Sequence, residues 1–202
     1  MKLIWEIWVN TYAYGISGNT EVGFYTTSST GPSYGYIYNG STYQSLNVPG
    51  SVQTRAYGIS GNNIVGMYQG GSTLYGFLYN GFSFLQLAVP GATATFATGI
   101  SGNNVLGYYE ENGDYYGYLY NNGNYTTISV PNATSTITWG IENDTIVGSY
   151  YVGSSPTVGL EIVPSPEPST LAIIGTSAGM IWFLRREKRL FYRRKSRDGG
   201  RK

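Results

Sequence analysis

The stretch AYGISGNNIVGMY, residues 56–68, decides how the rest of the chain is read. It holds two short runs of β-branched and aromatic residues, separated by Ser-Gly-Asn-Asn, a turn that accepts positive φ. The pattern returns as AYGISGNTEVGFY from Ala13, ATGISGNNVLGYY from Ala97 and TWGIENDTIVGSY from Thr138. Its Gly-Ile pair places Gly15, Gly58, Gly99 and Gly140 at steps of 43, 41 and 41 residues. Two further markers keep the same period. YGYIYNG, YGFLYNG and YGYLYNNG carry Gly35, Gly76 and Gly117, and NVPG, AVPG and SVPN carry Pro49, Pro90 and Pro131. Three coincident periods make an internal repeat the governing fact.

Within the second unit, RAYGI, IVGMY, LYGFLYN and FLQLAVPG read as four short strands divided by Gly/Asn/Ser turns. No helical periodicity interrupts the chain before residue 168. The expected fold is all-β: four repeats of about 41 residues, four strands each, the size of a propeller blade. The fourth unit lacks its own VPG strand. LIWEIWVN, at the start, sits where such a strand would precede the first unit, so pairing it into the last blade would close a four-bladed ring and cover open edges. Four blades is the preferred count. The alternative is a piece of a larger propeller, or an open stack of β-sheets, cut by a wrong start site.

Composition narrows the chemistry. The chain has no Cys and no His, which removes disulfides, Cys/His metal sites and Ser–His nucleophile pairs. Its net charge of +1 hides an asymmetry. Residues 1–168 hold two basic and nine acidic side chains, and residues 169–202 hold ten basic and two acidic. The acidic body offers no basic face to phosphates, so a nucleic-acid partner is not expected. No cofactor is expected either.

The units resemble the extracellular HAF repeats of exported bacterial proteins on Gly58, Ile59, Val65, Gly66, Gly76 and Phe77 and their equivalents one period away. That resemblance implies an exported surface repeat protein without a known reaction.

Four segments follow from the charge pattern: a β-repeat body over 1–162, a Pro-rich spacer over 163–168, an uncharged run over 169–184 and a basic tail over 185–202. Sixteen helical residues would span about 24 Å, short of a hydrocarbon core of roughly 30 Å, so snorkelling arginines and local thinning would complete a transmembrane helix. Pro166, Glu167 and Pro168, then Ser169 to Leu184, then Arg185, Arg186, Lys188 and Arg189, together resemble the PEP-CTERM sorting signal of Gram-negative bacteria. The resemblance implies holding in the inner membrane by its lipid and processing near Pro-Glu-Pro by an exosortase. It also implies release to the cell surface or medium in association with exopolysaccharide or biofilm. The basic cluster acts as a stop on the cytoplasmic side, which puts the body across the membrane. Residues 1–9, MKLIWEIWV, do not read as a signal peptide, so a start upstream of Met1 is expected. A cytoplasmic body with a tail anchor is the rival arrangement, and it would put the basic residues on the wrong side.

Several features invite sharper readings. The 21 tyrosines could stack on sugars, which makes a lectin-like module the first alternative function. Alternation instead makes Tyr36, Tyr38, Tyr75, Tyr79, Tyr116, Tyr118 and Tyr120 strand residues, some of them sent to the sheet-to-sheet core with their hydroxyls reaching the rim. Glu110, Glu111 and Asp114 could form a calcium loop or a glycosidase pair, the second alternative, but read better as a solvated turn. Glu142 and Asp144 replace the Ser-Gly-Asn turn of the other units and are read as turn chemistry. Asn39, Asn124, Asn132 and Asn143 stand in N-x-S/T triplets expected by chance in so Asn- and Thr-rich a chain. The spacing of Gly175 and Gly179 could mark a helix-contact face. The expected protein is non-enzymatic, with Pro166, Glu167 and Pro168 as its sorting motif and Arg185, Arg186, Lys188 and Arg189 as its membrane stop.

Overall fold

The computed structural model describes residues 9–153, 157–163 and 191–192. Every regular element among them is a strand. Unit one contains β1 (Asn10–Ser17), β2 (Thr20–Thr26), β3 (Ser33–Tyr38) and β4 (Tyr43–Leu46). Unit two contains β5 (Gln53–Ser60), β6 (Asn63–Gly70), β7 (Thr73–Tyr79) and β8 (Phe84–Leu87). Unit three contains β9 (Ala94–Ser101), β10 (Asn104–Glu111), β11 (Asp114–Asn121) and β12 (Asn124–Ile128). Unit four contains β13 (Ser135–Glu142), β14 (Thr145–Tyr151) and β15 (Val158–Val163), and β16 (Phe191–Tyr192) pairs with the free edge of β15.

Each unit is an antiparallel meander. Units one and four form separate four-stranded sheets, and units two and three share an eight-stranded sheet. The join between units two and three is a single parallel bridge, Leu74 opposite Ala94. The fourfold repetition read from the sequence is therefore present, arranged as three sheets. The described strands form no closed ring: β1 packs on β5, β5 on β9 and β9 on β13, in series. Residues 3–8, expected to complete the last blade, lie outside the described residues, and the place beside β15 is held by Phe191–Tyr192.

The glycines that mark the period are where successive units meet. A Cβ on Gly15 would come within 3.2 Å of the Gly58 Cα, one on Gly58 within 3.3 Å of the Gly99 Cα, and one on Gly99 within 3.4 Å of the Gly140 Cα. Backbone rests on backbone at these joints, and a side chain at Gly15 or Gly58 would crowd the next unit, while one at Gly99 would just touch it. The residue before each of these glycines is the extra one in a β-bulge, because the register with the next strand slips between Ala13 and Gly15, between Ala56 and Gly58 and between Thr138 and Gly140. Unit three slips at the same place, around Thr98.

The VPG segments are turns from one unit to the next. Ser51, Ala92 and Ala133 each donate a backbone N–H to the carbonyl of Val48, Val89 and Val130, at 3.1 Å in every case. Proline supplies the first central position, and Gly50, Gly91 and Asn132 supply the positive φ of the second, the requirement of a type II turn. A buried threonine caps each turn: Thr54, Thr95 and Thr136 accept the N–H of Val48, Val89 and Val130 at 3.1, 3.2 and 3.0 Å. At the opposite end, Ser17, Ser60 and Ser101 accept backbone N–H groups from Gly61, Gly102 and Asn143 of the following unit.

The apolar core lies between units rather than within them. Each sheet has a forward face toward the next unit and a rear face toward the previous one. Val22 and Leu46 on one forward face meet Ala56, Ile59, Ile64 and Phe77 on the next rear face. Val65 and Leu87 meet Ala97, Ile100 and Val105, and Leu106 and Ile128 meet Ile141, Ile146, Leu160 and Ile162. Val22, Val65 and Leu106 occupy one repeat position and are all fully buried. At about 1.5–3 kcal/mol per buried aliphatic side chain, these interfaces account for the favourable side of folding in a chain with no disulfide. No unit could bury its own apolar face alone.

Candidate binding surface along the stacked first strands

The bulge before each marker glycine re-aims one side chain per unit. These four residues are Tyr14, Tyr57, Thr98 and Trp139, three aromatic and one hydroxyl. Because β1, β5, β9 and β13 stack in series, they stand in a row across the units. Tyr14 and Tyr57 meet edge to face, with ring centroids 5.2 Å apart. In unit three Thr98 bonds the Thr138 carbonyl instead, and Tyr108 of β10 supplies the aromatic surface. Tyr108 contacts Trp139 edge to face at 5.8 Å and stacks on Phe96 at 4.7 Å.

The first end of the row is a compact cluster. Phe24, nearly buried, stacks on Tyr12 at 4.8 Å and on Tyr14 at 5.6 Å. The guanidinium of Arg55, from the neighbouring unit, lies 4.8 Å from the Phe24 ring centroid. Arg55 also donates from Nε to Ser33 Oγ at 3.0 Å. Tyr12, Tyr14 and Trp139 are about half exposed, so the row is open to solvent at both ends.

The electrostatics follow from packing. Burial raises the Tyr57 phenol above its ordinary value, and the nearby Arg55 guanidinium partly opposes that. Burial, with the Tyr57 and Tyr115 hydroxyls nearby, pushes Tyr108 up to about 12. Both are neutral donors and acceptors at physiological pH. The row is thus an uncharged aromatic surface with one cation set into it. Arg55 is the sole Lys or Arg among the described residues, and none of the described carboxylates pairs with it.

The residues singled out by sequence fall in different places. Glu111 and Asp114 face each other across a two-residue Asn112–Gly113 turn, both at positive φ, as a primed hairpin requires. Glu110 precedes them on β10, opposite Tyr115. This is the turn expected, at the rim of unit three. Asn143 and Asp144 both take positive φ and form the β13–β14 turn. Among the described residues no group of three or more acidic side chains could hold a metal ion. Tyr36 is buried and donates to Glu21 Oε1 at 2.9 Å. Tyr118 corrects one expectation: its hydroxyl does not reach the rim but is buried with no hydrogen-bond partner. Pro166, Glu167, Pro168, Arg185, Arg186, Lys188 and Arg189, with the whole of 169–184, lie outside the described residues. No described helix is long and apolar enough to cross a membrane.

Sequence reasoning treated the tyrosines as a class and did not find the row. A signal existed, since the residue before Gly15, Gly58 and Gly140 is aromatic each time. The pairing of Arg55 with Phe24 had none, being a contact between units.

No family model matches the chain, no curated protein matches it, and no solved structure matches its fold.

Proposed function

We propose that this chain is an exported, surface-displayed or secreted repeat protein of the PEP-CTERM kind, structural rather than enzymatic, working in an exopolysaccharide or biofilm matrix. One observation carries the reading: Pro166-Glu167-Pro168, an uncharged run over 169–184 and the cluster Arg185, Arg186, Lys188 and Arg189 follow one another in that order. In this reading 169–184 is a transmembrane helix in the inner membrane of a Gram-negative cell. The basic residues stop transit on the cytoplasmic side, and an exosortase cleaves near the Pro-Glu-Pro. The body is a propeller-like arc of four blades. Its dense packing and narrow turns suit a display element, and Glu110, Glu111, Asp114, Glu142 and Asp144 sit at or beside hairpin turns.

Insertion of 169–184 into a bilayer would separate Phe191–Tyr192 from β15. That pairing covers two ladder positions, Ile162 with Tyr192 and Val163 with Phe191, so little is lost when it opens. The test is fractionation of cells expressing the chain behind an export leader, followed by protease shaving. The body is expected to be cleaved on intact cells, and Pro166→Ala with Pro168→Ala is expected to leave it in the inner-membrane fraction. A body fully protected in intact cells would sink the proposal in favour of the tail-anchor arrangement.

The aromatic row favours a second reading, a carbohydrate-binding module. Aromatic faces open to solvent and flanked by hydroxyl groups suit the C–H faces of pyranose rings. Catalysis by Glu110 and Asp114 has no comparable support. Glu110→Gln and Asp114→Asn are expected to leave any glycan binding unchanged.

A further inference from the structure

The carbohydrate reading names no kind of sugar; the position of Arg55 does. Resting on that reading, we propose that the Tyr12–Tyr14–Arg55 cluster binds an anionic polysaccharide, with the arginine holding a sugar carboxylate while the tyrosines stack on the rings. The described body is acidic: Arg55 is its one basic residue, against Glu21, Glu110, Glu111, Asp114, Glu142 and Asp144 and Glu161. A lone arginine in such a body would ordinarily be neutralised by the nearest acid. Here none of the described carboxylates pairs with it. Its placement is instead fixed by the Phe24 ring, by Ser33 Oγ, which takes the Nε proton, and by the Tyr57 hydroxyl, which bonds the guanidinium.

The repeat makes the choice of residue informative. The equivalent positions in the other units hold Tyr12, Phe96 and Ile137, so packing here is satisfied by apolar or aromatic side chains and does not require a cation. Ser33 takes the Nε proton and the Tyr57 hydroxyl also bonds the guanidinium, which leaves three of its five N–H donors to grip a carboxylate. Tyr12 and Tyr14, 45% and 55% exposed, stack on the same Phe24 ring that Arg55 lies over, and each keeps ring surface open to solvent for a sugar. The same chemistry fits a uronic acid better than a neutral glucan, which would leave the cation without its partner. It also fits better than an acidic peptide, which has no ring faces to stack.

The test compares the full chain in detergent with Arg55→Gln and Tyr14→Ala, by titration with polygalacturonate, neutral dextran and poly-glutamate. The basic tail binds any polyanion, but it is identical in all three proteins, so only differences between them are read. Unchanged far-UV circular dichroism and melting confirm that each variant is folded. Both variants are expected to bind polygalacturonate roughly tenfold more weakly than the unaltered chain. Tyr14→Ala should make no difference to poly-glutamate. Equal binding of polygalacturonate by all three would overturn the proposal. So would a loss with Tyr14→Ala that is as large on poly-glutamate. Dextran binding that depends on Tyr14 but not on Arg55 would also overturn it while leaving the carbohydrate reading in place. No Tyr14-dependent binding of either saccharide would remove both.

Discussion

Units three and four follow one pattern, yet their forward faces meet different fates. Unit three turns Leu106, Leu119 and Tyr108 toward unit four, and Leu106 is fully buried there. In unit four the same positions hold Val147, Glu161 and Ser149. Val147 is 48% exposed, Glu161 is exposed, and Ser149 accepts from the Trp139 indole at 3.3 Å. Glu142 likewise stands where Ser17, Ser60 and Ser101 receive an N–H from the following unit. The residues change where no described unit stacks. A repeat array needs a last unit with a polar outer side, and unit four has acquired one through a few substitutions on an otherwise retained pattern. A ring closing unit four onto unit one would partly bury Glu161, at a position held by the half-buried Ile37, Leu78 and Leu119 in the other units, which disfavours closure.

The contrast can be broken most forcefully at the marker glycines. Gly58→Ala is expected to cost about 2–3 kcal/mol, because its methyl would press on the Gly99 backbone. Gly140→Ala, at the same repeat position, meets no backbone and only a methyl of the exposed Val147 at 3.3 Å. It should change stability by no more than about 0.5 kcal/mol, with a gain in strand propensity offsetting mild crowding. Chemical denaturation of the pair reads the difference directly, and equal losses would mean that the joints are not what the glycines serve. Thr95→Val is expected to cost about 1–2 kcal/mol, since it leaves the Val89 N–H without its acceptor. Tyr118→Phe should raise stability by about 1 kcal/mol, seen as a higher midpoint, because it removes a buried hydroxyl without a partner where Phe77 serves in unit two. The smallest effect on stability belongs to Glu161→Leu, within about 0.5 kcal/mol. Its signature is association: restoring an apolar forward face should make the protein self-associate in light scattering, and a strictly monodisperse variant would show that Glu161 guards nothing.

The repeat was legible because its markers are residues that geometry forbids to vary. Glycine at the joints answers a backbone contact, and Val-Pro-Gly answers a turn that needs one fixed φ and one positive φ. Such positions keep their spacing even as the faces around them drift. Thr54, Thr95 and Thr136 recur four residues before their glycines and were readable in the same way, although threonine draws less notice. A closed ring and an open stack of sheets both fit the sequence, with the ring preferred, and the described strands form the open stack. Nothing local distinguishes a ring from an arc; the answer lies in which faces turn polar, and that requires knowing which residues point forward. The aromatic row was hidden for a related reason. Tyr14, Tyr57 and Trp139 come from strands far apart in sequence and align because each stands at a bulge of the same repeat position, and Tyr108 joins them from β10. The expectation about Pro166, Glu167 and Pro168 stands on sequence order alone.

The joint at the marker glycines has a consequence for how such a body can change over time. Every seam presents the same chemistry on both sides, so joining Gly58 directly to Ile100 would delete a full module and rebuild an equivalent seam. Length is then adjustable in whole steps at the level of the gene, by duplication or loss of one cassette. The end unit, with its altered outer side, is the piece that cannot be copied into the middle.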